Sequence, residues 1–272
     1  MHYLVFILII YIFPLLALAD KIKEKNVIYI YKDEGVSNNS ILHTVFTLKE
    51  TLTDGYYIHS INAKEIIRNE WVKDAALLIV PGGADLPYTK KLNGQGNANI
   101  KNYVNNGGSY LGICAGSYYA SAYVEFDKSG ELEVLGEREL AFFPGPAVGP
   151  IIAKYSYENN SGARAANIRL GLKNLKQSTI YYNGGGYFKD AANYSNVVIM
   201  GYYQNHLPAI VHILHKKGNV ILSGVHFEYS PCLLDKHDPY LNKLYPDLKH
   251  SNTARIVLAK TIFKKLGLTI CK

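Results

Sequence analysis

What the sequence lacks narrows it first. Its 272 residues hold no stripe of lysine and arginine interleaved with aromatics, so the formal charge of +7 comes from scattered groups such as Lys90-Lys91, Lys216-Lys217 and Lys264-Lys265. Such pairs suit solvated turns and helix ends, and no nucleic-acid partner is expected. There is no internal repeat and no low-complexity tract, and beyond residue 19 no apolar run approaches the roughly 20 residues that span a bilayer. Cysteine is scarce and odd in number, Cys114, Cys232 and Cys271, so at least one thiol is unpaired within the chain. Sequence separation leaves open whether Cys232 and Cys271 join in a disulfide. His237, with Asp235 and Asp238 close by, lies in an irregular stretch without the usual ligand spacing, and neither a metal nor another cofactor is expected.

Residues 4–19 differ from the rest. They are almost wholly apolar, end in Ala17-Leu18-Ala19 and give way to a charged stretch at Asp20, the pattern of a signal peptide cleaved after Ala19. A retained N-terminal anchor is the alternative. Cleavage implies a secreted or periplasmic protein whose residues 20–272 form a single domain, without a stable membrane span. The 48% apolar content is ample for one buried core.

Short apolar runs alternate with amphipathic stretches through the first half, the signature of βαβ units feeding a parallel sheet. Strands are expected at residues 27–31, 56–60, 75–80 and 109–113. Ile41, Val45, Leu48 and Leu52 recur at helical spacing behind a cap at Asn39 or Ser40. Short helices are expected near residues 63–68 and 99–105, with a long polar loop between Pro81 and Asn99, and a further helix over 115–122. The second half predicts strands at 165–170, 179–182, 197–203, 209–214 and 219–222, a hairpin turn at Lys216-Lys217-Gly218-Asn219, and a final helix over 253–266.

The strongest chemical signal is Gly112-Ile113-Cys114-Ala115-Gly116, between an expected buried strand and a helix. A nucleophile there sits in a sharp turn, and small neighbours are needed because larger side chains would collide. His226 is the expected base, and Glu228, two positions on, can hold one imidazole nitrogen while the other faces Cys114. Backbone N–H groups of Gly83, in the Pro81-Gly82-Gly83 turn, and of Ala115 are the expected oxyanion hole. Asp85, Tyr88 and Tyr118 are candidates for contacting substrate, and Tyr119 and Tyr187 for lining the cleft.

Taken together, Pro81-Gly82-Gly83-Ala84-Asp85, Gly112-Ile113-Cys114-Ala115-Gly116, Phe142-Phe143-Pro144-Gly145-Pro146, Tyr182-Asn183-Gly184-Gly185-Gly186 and Ser223-Gly224-Val225-His226-Phe227-Glu228 resemble the class I glutamine amidotransferase-like superfamily. Within it they look most like the family named for the N-terminal domain of biotin-protein ligases. The resemblance implies an α/β, flavodoxin-like three-layer sandwich with a mainly parallel central sheet, and a Cys-His-Glu series at Cys114, His226 and Glu228. Amidotransferases of this kind carry proline between the histidine and the glutamate, where this chain has Phe227. Combined with export, the expectation is an exported thiol hydrolase or amidase-like protein acting on a small-molecule or peptide amide. The alternatives are a non-catalytic ligand-binding module and redox or carbonyl chemistry at Cys114.

Overall fold

A computed structural model describes residues 25–172 and 175–271. The expected signal peptide, residues 1–19, lies outside the described residues.

In chain order the first half runs β1 (Val27–Tyr31), α1 (Asn38–Thr51), β2 (Tyr57–Ile61), α2 (Ala63–Arg68), β3 (Ala75–Val80), α3 (Asp85–Leu92), α4 (Gln95–Asn105), β4 (Ser109–Ile113) and α5 (Ala115–Tyr119). The remainder is β5 (Ser121–Phe126), β6 (Val134–Glu137), β7 (Phe143–Gly149), β8 (Arg164–Leu172), β9 (Leu175–Tyr182), β10 (Tyr187–Phe188), β11 (Val197–Tyr202), β12 (Pro208–His215), β13 (Gly218–Ser223), α6 (Pro239–His250) and α7 (Asn252–Lys265).

Nine strands form the main sheet in the order β2-β1-β3-β4-β13-β12-β11-β8-β9. Successive residues of a strand face opposite sides, and the core divides accordingly. Leu77 and Ile79 of β3 join Ile221 of β13 and Leu258, Ile262 and Phe263 of α7 on one face. Leu78 and Val80 join Leu222, with Ile66, Leu92 and Ile100 from α2, α3 and α4, on the other. This is a three-layer α/β arrangement.

The sheet is mixed, which corrects the expectation of a mainly parallel one. β1, β2, β3, β4 and β13 pair in parallel, whereas β13, β12, β11, β8 and β9 pair antiparallel. The connections explain the division. Helices link β1 to β4 and return the chain to the same edge, while the turn at Lys216-Lys217 is too short for anything but an antiparallel hairpin.

Two further departures matter. The expected polar loop after Pro81 contains α3, because Pro87 occupies its first turn, where no intrahelical N–H bond is needed, and Tyr88 and Leu92 are buried. The expected helix over 115–122 stops at Tyr119, and the chain continues into a second sheet, β10-β7-β5-β6, whose short strands carried no clear alternation. Cys232 and Cys271 are free thiols, Cys232 in a 3-10 turn (Pro231–Leu233) and Cys271 donating to Glu50 O. Among the described residues no helix is long and apolar enough to cross a membrane.

Candidate active site

Cys114 leaves the end of β4, a strand buried at all five positions, with φ 50° and ψ −108°. Such backbone is strained for any residue with a side chain, and neighbouring contacts must hold it. The Cys114 N–H donates to Ser223 O of β13 at 2.8 Å, and its carbonyl accepts from the N–H groups of Ser117 at 2.9 Å and Tyr118 at 3.0 Å. Gly112 and Gly116 permit the turn, since a Cβ at the first would strike the Gly116 backbone and at the second the Val80 backbone. The thiol donates to Asn183 O at 3.7 Å.

His226 follows β13 and is held by the end of β9, its N–H donating to Tyr181 O at 2.9 Å. The segment is a turn, since Tyr229 N–H closes back on His226 O at 3.1 Å. Glu228 meets the imidazole, its Oε1 lying 2.8 Å from His226 Nδ1. Gly82 borders both imidazole and thiol, for a methyl there would lie 2.8 Å from His226 Cε1 and 3.5 Å from Cys114 Cβ.

The electrostatics follow from the partners. Burial alone depresses a histidine, but the Glu228 carboxylate and the Cys114 thiol beside it outweigh that, and His226 is pushed up to about 10. It is therefore an imidazolium at neutral pH. With only five residues α5 has little dipole of its own, so the cation at His226 is the principal charge facing the sulfur.

Gly83, Asp85, Ala115 and Tyr118 line a narrow cavity of about 30 Å³ with Cys114. A second recess of about 230 Å³ meets it at Cys114 and Gly83, bounded by His226, Tyr229 and residues 155–160. Asp85 is paired with Arg138, whose Nε donates to its carboxylate at 2.7 Å, yet burial still raises the Asp85 carboxyl above its ordinary range. Tyr88 stands away from both recesses. It is fully buried and its hydroxyl donates to Pro81 O and Gly82 O at 3.3 and 3.2 Å, so it holds the Pro81-Gly82-Gly83 turn from behind. Tyr119 is likewise buried, against Asn97, and Tyr187 lies in β10. Asp238 caps α6 through the N–H groups of Tyr240 and Leu241.

Residues not assigned to the site from the sequence complete it. Tyr155, Tyr157 and Asn183 line both recesses, the two tyrosines from a stretch without periodicity. Ser40 had been a candidate cap, but Ser37 caps α1 by accepting from Ser40 N–H, which leaves the Ser40 side chain facing Glu228.

The family model described as "Biotin-protein ligase, N terminal" matches residues 26–272. The chain belongs to this family. A biotin-protein ligase of Schizosaccharomyces pombe is 35% identical over 255 residues, covering 90% of this chain and 38% of that protein. An uncharacterized protein of Chlamydia muridarum is 39% identical over 220 residues, covering 78% of this chain and 84% of that one. The chain thus spans well under half the length of the yeast relative. In fold it is similar to a glutamine amidotransferase of Thermotoga maritima, with a TM-score of 0.54 at 10% identity over 89% of this chain and 98% of that one. A ThuA-like protein of Bacteroides uniformis gives 0.51 at 12% identity, over 89% and 91%. Membership of the biotin-protein ligase N-terminal family overturns the exported thiol hydrolase expected from the sequence, because the relatedness over nearly the whole described chain is to that family and not to a hydrolase. The hydrolase reading had joined a nucleophile motif to a leader, and neither specifies which group accepts the acyl carbon.

Proposed function

We propose that this chain is an acyl-transfer domain in a biotin-protein ligase setting, with Cys114 as the atom that carries the acyl group. The observation that carries the reading is the series Cys114, His226 and Glu228, in which a buried imidazolium faces a thiol at the meeting point of two recesses. In the first step the Cys114 thiolate attacks the carbonyl carbon of an activated carboxylate such as an acyl adenylate. A C–S bond forms, the bond to the leaving group breaks, and the leaving group departs with the electron pair. The N–H groups of Gly83 and Ala115 offset charge on the carbonyl oxygen during attack. In the second step an acceptor amine attacks the thioester, a C–N bond forms as C–S breaks, and the electron pair returns to sulfur. His226 gives its proton to the departing Cys114 sulfur and takes up the amine's proton in its place, and Glu228 keeps that ring oriented. Asp85 and Tyr118 contact the acyl donor from the narrow cavity.

The test uses biotin p-nitrophenyl ester as donor and intact-mass spectrometry as readout. One biotinyl group on Cys114, released by hydroxylamine and absent from Cys114→Ala, is expected. A wild-type chain that takes up no acyl group at Cys114 contradicts the reading.

A further inference from the structure

Glu228 does not hold His226 unaided. Ser40 Oγ donates to Glu228 Oε1 at 3.1 Å, the same oxygen that meets His226 Nδ1. The Ser40 hydroxyl also accepts from Gly82 N–H at 3.0 Å. Ser40 is fully buried on α1, far in sequence from both partners of its hydroxyl, so these contacts are tertiary. Thr47, two turns along the same helix, donates to the Glu228 carbonyl at 2.8 Å, so α1 grips the glutamate by backbone and side chain together.

We infer that Ser40 is a positioning residue that couples the Cys114, His226 and Glu228 series to the turn carrying Gly83. One hydroxyl fixes the carboxylate that orients the imidazole and, through Gly82, the backbone whose next N–H faces the reacting carbonyl. The inference rests on the acyl-transfer reading for the role of Gly83, and on geometry for the link to Glu228. A hydroxyl can serve both groups because it donates once and accepts at its lone pairs, which no other small side chain does without adding bulk or charge.

The experiment compares two reactions of Cys114 in the full chain, followed by site-resolved peptide mass mapping so that Cys232 and Cys271 do not contribute. Alkylation by iodoacetamide needs the thiolate and no oxyanion hole, whereas acylation by biotin p-nitrophenyl ester needs both. Ser40→Ala is expected to slow alkylation ~5-fold and acylation ~100-fold, the larger loss reflecting a displaced oxyanion donor. Glu228→Gln, acting through His226 alone, is expected to slow both by one common factor, and adding Ser40→Ala to it should slow alkylation no further. Ser40→Thr keeps the hydroxyl and should restore both rates to within about threefold, as a positioning role requires. Thr51→Ala, which removes a buried hydroxyl bonded to Thr47 O on the same helix, controls for lost stability and should leave both rates unchanged.

Equal slowing of the two reactions by Ser40→Ala, or rates within twofold of wild type, overturns the inference. Should the wild-type chain accept no acyl group, the acyl-transfer reading falls. Ser40 is then judged on alkylation alone, where an unchanged rate in Ser40→Ala overturns it.

Discussion

His43 and His226 lie against the same tyrosine and differ in charge state. Both are buried, and both contact Tyr229, His43 stacked on the ring at 4.0 Å and His226 edge-on at 4.9 Å. His43 has no carboxylate. Its Nδ1 accepts the Ser230 N–H at 3.0 Å, and burial, reinforced by the charges of His226 and Arg255, pushes it down to about 3. His226 has Glu228 and Cys114, and is pushed up to about 10. Burial is common to the two, so the partner determines the charge. The aromatic stack of His43, Tyr229 and Tyr181 thus separates a neutral imidazole that acts as an acceptor from a cationic one aimed at a thiol.

The largest way to break this comparison is to remove each imidazole in turn. His226→Phe keeps an aromatic ring and removes the cation, and should slow thioester formation at Cys114 ~10²–10⁴-fold, read from p-nitrophenolate release. His43→Phe should leave that rate within about threefold and cost about 1–3 kcal/mol in urea unfolding, because the Ser230 N–H loses its buried acceptor. Equal kinetic effects would mean that charge state does not distinguish the two sites. Next in size, Glu228→Gln leaves the His226 cation without its counter-charge and should cost about 3 kcal/mol of stability in the same assay.

The α/β fold and the tight turn at Cys114 were legible because each rests on local pattern. The run Ala75-Ala76-Leu77-Leu78-Ile79-Val80 has the continuous apolar character of a strand covered on both faces, and it is one. The glycines around Cys114 announced a backbone only small neighbours tolerate. What could not be read depends on tertiary contact. The partnership of Ser40 with Glu228 links α1 to a turn near the other end of the chain, and nothing local to either marks it. The second sheet was missed because Phe143-Pro144-Gly145-Pro146-Ala147-Val148-Gly149 reads as a turn, although its register with β5 is what makes it a strand. The antiparallel half was read as strands, but their order in the sheet is set by hairpins and long-range pairing. The reaction, wrongly inferred as hydrolysis, is not encoded by the Gly-Ile-Cys-Ala-Gly motif at all.

Stability against pH sharpens the comparison further. A histidine raised to about 10 when folded contributes stability that is full below its unfolded value near 6.5 and is lost as pH rises through about 10. A histidine depressed to about 3 contributes stability that is present above 6.5 and lost as pH falls toward 3. Thermal melts should therefore show His226→Phe flattening the alkaline limb of the wild-type profile and His43→Phe flattening the acid limb. Crossed or unchanged limbs would remove the distinction. The smallest effect is expected for Tyr229→Phe, which keeps the ring against both histidines and should shift stability by less than ~1 kcal/mol and neither limb.

The most direct measurement is the titration of the two imidazoles by ¹⁵N chemical shift in the folded chain. The account predicts that His226 carries protons on both ring nitrogens throughout the neutral range and loses one only as pH nears about 10, while His43 stays neutral down to strongly acidic pH. A His226 that titrates at or below 6.5, like a histidine with no carboxylate or thiol beside it, contradicts the account.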